Sequence, residues 1–128
     1  MRRLNGSGPV YYQFEQWAGS EQFTHGIFTR LGGVSQSPWA SLNVGSTVGD
    51  DHAAVRENLR LMYDTIGLDG AQACTVWQVH SADTVVVNGP VPQRRWLARA
   101  DGMVTTCSAL PLSMRFADCT PYTPLEKP

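Results

Sequence analysis

Apolar residues recur through the middle of the chain with a helical period. Val55, Leu59, Met62 and Ile66 fall at offsets 0, 4, 7 and 11, one stripe that predicts an amphipathic helix over residues 51–66. Asp50 and Asp51 stand where a carboxylate accepts the free amides of a first helical turn. Gly67 stands where a left-handed residue ends a helix. Arg56, Glu57 and Arg60 lie off the stripe and are expected in solvent. Elsewhere the pattern is that of strands, with candidates at residues 10–14, 24–29, 74–79, 84–87, 103–106 and 112–116. In 74–79 the residues alternate, Val76 and Gln78 on one face and Trp77 and Val79 on the other. Residues 84–87 are β-branched throughout and predict a strand buried on both faces. Residues 1–9 read as a loose start, and 34–41 as loop after the Gly32-Gly33 break. Leu42-Asn43-Val44-Gly45 fits no element clearly, and 93–99, with Arg94, Arg95 and Arg99, reads as a basic surface loop. Pro121, Pro124 and Pro128 stop any helix or central strand after Cys119. These elements predict an α/β fold with mixed sheets and one helix.

Composition narrows the class. The chain has 128 residues, enough for a single domain over 1–128. It is 42% hydrophobic and 16% charged with a net charge of −1, which describes a globular chain and argues against a disordered one or a basic nucleic-acid binder. No apolar run approaches the roughly 18 residues of a membrane span. Asn5-Gly6-Ser7-Gly8-Pro9 stands where a signal peptide carries its apolar stretch, so the expected location is the cytoplasm, with no membrane partner. Three cysteines are an odd number that does not suit a disulfide framework.

Two residues that can carry chemistry stand at predicted strand exits. His80 follows one strand and Cys119 another, and an imidazole and a thiolate are good zinc ligands at roughly 2.0 and 2.3 Å. Two donors do not complete a zinc site, and the commoner use of a free cysteine is core packing. Cys74 and Cys107 read as structural; His25 and His52 have no patterned partner. Arg30 beside Gly32-Gly33 is a candidate anion grip, since consecutive amides converge on an anion and a guanidinium forks onto it. A plain tight turn is the simpler reading of the glycine pair taken alone. Asn43 is a candidate contact to a sugar or base, or else a turn residue.

Six fragments together resemble one family. HGIFTRLGGVS at 25–35, SLNVG at 41–45, VGDDHAAVREN at 48–58, WQVH at 77–80, ADGMVTT at 100–106 and ADCTP at 117–121 are similar to motifs of the YfiH-like family, in family order. This is also called the polyphenol oxidase or laccase-domain family and is regarded as zinc-dependent purine nucleoside phosphorylases. The resemblance implies a four-layer α-β-β-α fold of the YfiH/CNF-like type. It implies a zinc held by His80 and Cys119, with a third ligand from a later HxGWRG-like motif that does not occur in this sequence. It implies phosphorolysis of adenosine, inosine, guanosine or methylthioadenosine, with adenosine deamination beside it. Arg30, Gly32 and Gly33 would then hold phosphate, Asn43 would touch the nucleoside, and Asp118 would orient a ligand or assist proton transfer. Family chains are about twice this length, in line with a larger domain, so the chain reads as a C-terminally truncated, incomplete member. Ser81 replaces the glycine usual after QVH.

Other readings stay open on the residues alone. A copper-dependent polyphenol oxidase would use copper at the same ligands, but three histidines without a His-x-His pair cannot build a multicopper cluster from one copy. Cys119 and His80 are also a possible metal-free nucleophilic pair of a hydrolase. An inactive fragment or binding partner is the non-enzymatic reading, and an open sheet edge would invite a homodimer.

Overall fold

Helix α1 runs from His52 to Thr65 in the computed structural model, which describes residues 1–91 and 96–123. Asp51 is its N-cap and accepts the amides of Ala53 and Ala54 at 3.2 Å each. Asp50 is not the cap; its carboxylate turns back into the preceding loop. At the other end Gly67 takes φ +69. Its amide donates to Asp64 O while that of Leu68 reaches Tyr63 O at 3.0 Å. These are the paired bonds of a Schellman stop. Val55 and Met62 are buried and Leu59 and Ile66 half-buried, as the stripe predicts. Arg56 is exposed, and Arg60 bridges Glu57 and Asp64 in solvent.

Two sheets accompany the helix among the described residues. Strands β1 (Arg2–Leu4), β2 (Tyr11–Gln13) and β3 (Ile27–Phe28) form an antiparallel sheet in that order. Strands β4 (Thr84–Val86) and β5 (Gly102–Val104) pair in parallel, Val86 opposite Val104. Antiparallel and parallel pairing beside one α-helix is the mixed α/β class expected. Among the described residues no helix is long and apolar enough to cross a membrane.

Several expectations are corrected. The start of the chain is not loose: Arg3 pairs with Tyr12 in β1–β2, and the terminal amine meets Glu15 at 3.3 Å. Its strand character comes from partners seven to eleven residues away rather than from its own pattern. Strand β4 is not buried on both faces. Val85 is half-buried and Val87 buried, whereas Thr84 is exposed and Val86 is 65% exposed, because nothing among the described residues packs over that face of the sheet. Residues 74–79 are extended but not a regular strand. Their bridges are Cys74 with Leu112 and Trp77 with Arg99, and Cys74 and Val76 point inward as the alternation requires. In 112–116 the bridge at Leu112 is the one pairing seen. The basic loop is only partly visible: Arg94 and Arg95 lie outside the described residues, while Leu97 and Ala98 hydrogen-bond to the backbone of Thr75 and Trp77.

The tightest polar packing lies under α1. Asn58 is fully buried. Its Oδ1 accepts the Val34 amide at 2.8 Å; its Nδ2 donates to Ser35 Oγ and to Asn43 O, both at 2.8 Å. Ser35 Oγ in turn donates to Asp50 at 2.6 Å, and Asn43 Nδ2 to the same oxygen at 2.9 Å. The Ser35 hydroxyl leads the causes that hold the Asp50 carboxyl below its ordinary range, with Asn43 next. Every arm of Asn58 is used, so the network stabilises the loops while leaving none of that amide's groups orphaned.

A second anchor pins β2 to the segment before β3. His25 Nε2 accepts the Phe14 amide at 2.8 Å, and the ring packs against Phe14, Trp17 and Phe23 with centroids 5.5 to 5.8 Å away. Burial pushes its pKa below 6.5. An acceptor nitrogen cannot also hold a proton, so the neutral ring is the one that fits.

Replacing Asn58 with Ala is expected to lower stability by about 3 kcal/mol, since buried partners lose their bonds. Urea unfolding checks this through a lower midpoint at unchanged slope; a loss under about 0.5 kcal/mol, typical of a surface position, contradicts it. The folded His25 binds its proton less readily than the unfolded one. Its contribution to stability is therefore complete above pH 6.5 and declines as pH falls from there through the lower folded value. Urea midpoints at pH 7.5 and 5.5 should show this acid loss shrinking in His25→Gln; an identical loss in both proteins contradicts it.

Candidate functional site

His80 ends an extended segment that is held on both sides. Cys74 bonds to Pro111 and Ser113 at 2.8 Å each, and Trp77 bonds to Ala98 and Ala100 at 2.9 and 3.0 Å. Beyond Val79 the backbone turns sharply, and His80 takes φ 60. A side chain in that left-handed region costs roughly 1–2 kcal/mol, so the turn needs support. Asp101 provides it. Its carboxylate accepts the amides of Val79 at 3.1 Å, His80 at 3.0 Å and Ser81 at 2.8 Å, and the Ser81 hydroxyl at 3.0 Å. These bonds, that of the Ser81 amide foremost, bring its pKa down to about 2. Among the described residues the left-handed non-glycine positions are His80 and Ala109, so Ser81 does not need to be glycine.

The turn aims the imidazole at a residue 39 positions away. His80 Nε2 lies 3.9 Å from Cys119 Sγ, and the sulfur lies 4.0 Å from Asp118 Oδ1. His80, Asp118 and Cys119 are all exposed. Core packing is therefore not the role of Cys119, whereas Cys74 is buried as expected. Donors at roughly 2.0 and 2.3 Å from one tetrahedral zinc stand about 3.6 Å apart. The observed pair fits two corners of that tetrahedron with a few tenths of an ångström to close. Among the described residues no three His, Cys, Asp or Glu side chains converge on a metal-sized point. His25 is committed to Phe14, and His52 is exposed at the start of α1.

The predicted anion grip is built but occupied by the chain itself. Arg30 Nε donates to Ala40 O at 3.0 Å, with Nη2 on the same oxygen. The Gly32 and Gly33 amides both donate to Ser41 Oγ, at 3.0 and 3.2 Å. A Cβ on Gly33 would stand 2.3 Å from Ser41 O and 2.5 Å from Asn58 Oδ1, so close packing alone accounts for that glycine. Asn43 folds into an Asx turn, its Oδ1 accepting the Gly45 amide at 3.0 Å while Nδ2 donates to Asp50. Arg115 reaches this region, with Nη1 3.4 Å from Val44 O. A cavity of about 690 Å³ beside α1, lined by Arg56, Tyr63, Thr75 and Arg115 among others, contains none of the predicted site residues.

Two functional neighbours escaped the sequence reading. Asn58 stood three residues after Val55 on the apolar stripe, and a polar residue there was a readable sign of a buried network. Asp101 carried no local sign, because its partners lie 20 to 22 residues earlier.

Residues 24–125 match the family model described as multi-copper polyphenol oxidoreductase laccase. A Streptomyces griseus protein named purine nucleoside phosphorylase is 43% identical over 98 residues, covering 76% of this chain and 40% of that protein. A Corynebacterium glutamicum protein of the same name is 41% identical, covering 73% and 38%. The crystal structure of YfiH from Bacillus licheniformis superposes with a TM-score of 0.77 at 28% identity, over 91% of this chain and 44% of that one. The chain thus spans about two fifths of the length of the curated relatives it matches. With most of its residues inside the family match and its fold shared with YfiH, the chain belongs to the laccase-like, YfiH-type family of multi-copper polyphenol oxidoreductase laccases.

Proposed function

We propose that this chain carries part of the active centre of a zinc-dependent purine nucleoside phosphorylase, with His80 and Cys119 as two donors to the metal. The observation that carries the reading is the 3.9 Å approach of Nε2 and Sγ across 39 residues of sequence, in the open. The names of the two relatives support the activity, and the chemistry of the donors, one imidazole and one thiolate, supports zinc. Zinc held by this pair would supply Lewis acidity beside the nucleoside.

The remaining roles belong to the chain's own groups. Phosphorolysis replaces the base at the anomeric carbon with a phosphate oxygen, so phosphate must be held against the sugar. Arg30 has guanidinium donors beyond the two on Ala40, and these are its means of gripping phosphate. The Gly32 and Gly33 amides would have to exchange the Ser41 hydroxyl for a phosphate oxygen. Asn43, tied to Asp50, serves the nucleoside by keeping its loop in place. Asp118, 4.0 Å from the sulfur, is the nearest carboxylate for moving a proton. Adenosine, inosine, guanosine and methylthioadenosine are the substrates of this reading, with adenosine deamination as a side activity. Copper at the same two donors is the alternative that the family description favours.

Two donors make a weaker site than three, so the chain alone should bind zinc weakly and turn over slowly. Zinc affinity, measured by competition with a chromophoric chelator, should fall by about tenfold or more in His80→Ala and in Cys119→Ala. Release of base from adenosine in phosphate buffer should fall with it. Unchanged affinity in both variants refutes the pair as ligands. Activity that survives chelation but not alkylation assigns the pair to metal-free nucleophilic chemistry instead.

A further inference from the structure

We propose that Asp101 is a positioning residue for His80: its carboxylate holds the left-handed turn that aims the imidazole at Cys119, and Ser81 completes the hold with its side chain. The inference rests on the reading of His80 and Cys119 as a donor pair. Asp101 bonds to the backbone of His80, not to its ring, so it acts on where the ring stands. Three consecutive amides, Val79 to Ser81, converge on one carboxylate, joined by the Ser81 hydroxyl. That gathering is what a turn through φ 60 at a histidine requires.

The carboxylate stands on a firm base. The preceding Ala100 is 1% exposed and its amide bonds to Trp77 O at 3.0 Å. The amides of Asp101 and Gly102 both reach Asp83 O, at 3.0 and 3.1 Å, where β5 begins. Ser81 Oγ closes the loop from the other side by accepting the Asp83 amide at 3.1 Å. A glycine at 81 would remove both side-chain bonds. Ser81 is thus a local reinforcement of the turn. Without Asp101, His80 is free to relax to an ordinary φ, and a rotation of that size at the backbone carries the ring away from the sulfur.

Asp101→Asn and Ser81→Ala test this in the purified chain. One readout is zinc affinity by chelator competition. The other, taken without metal, is the nuclear Overhauser contact between the His80 ring proton and the Cys119 β-protons. A purely structural role would leave that contact unchanged in a folded variant. Asp101→Asn is expected to lower zinc affinity about 10- to 100-fold and to lose the contact while the amide spectrum of α1 and β1–β3 is retained. Ser81→Ala is expected to show a smaller, severalfold loss. Unchanged affinity and an unchanged contact in folded Asp101→Asn overturn the proposal. If that variant does not fold, Ser81→Ala decides by the same two readouts. If His80→Ala itself leaves zinc affinity unaltered, the donor-pair reading fails, and the contact in metal-free protein still judges the positioning role.

Discussion

Asn58 is the point at which the loops of the first half of the chain are tied to their helix. A fully buried amide among Val55 and Met62 would be destabilising if any of its groups went unpaired. Instead it takes the Val34 amide and gives its two protons to Ser35 and Asn43. Those two residues then share Asp50, whose backbone neighbour Asp51 caps the same helix. Helix start, glycine loop and Asn43 turn therefore form one bonded unit. Of the residues proposed to hold phosphate and nucleoside, Asn43 is placed by that unit, whereas Arg30 is held on Ala40 and Gly32 and Gly33 on Ser41.

The second half of the chain uses the same device with a carboxylate in place of the amide. Asp101 gathers backbone donors around a turn that its own strand cannot stabilise, as Asp50 gathers side-chain donors around another. In both cases hydrogen bonds to the ionised form hold the carboxyl below its ordinary range, down to about 2 for Asp101. Irregular loops held by saturated acceptors can carry chemistry with little regular structure beneath them, which suits a fold whose described strands are two or three residues long.

Much of this was legible in the sequence where the determinants are local. The stripe from Val55 to Ile66, the capping Asp51 and Gly67 specify α1 within residues 51–67, and the helix forms where they place it. The inward parity of Cys74 and Val76 was readable from alternation alone. What could not be read depends on distant partners. Strand β1 exists because β2 offers it an edge, and Val86 is exposed because nothing described covers that side of β4. The site divides in the same way. The types and expected strand-exit positions of His80 and Cys119 marked them as candidates, and the family resemblance implied a metal between them. Their meeting depends on Asp101, whose bonds span about twenty residues and leave no periodic trace. The double glycine shows the converse: its pattern suggested anion binding, while Ser41 and Asn58 already explain its shape.

The central claim is that one sulfur and one imidazole nitrogen of this chain share a metal ion. X-ray absorption at the zinc edge of the zinc-loaded protein tests it most directly. One sulfur scatterer at about 2.3 Å together with nitrogen at about 2.0 Å is the predicted shell. A shell of light atoms alone, unchanged when Cys119 is replaced by Ala, would contradict it.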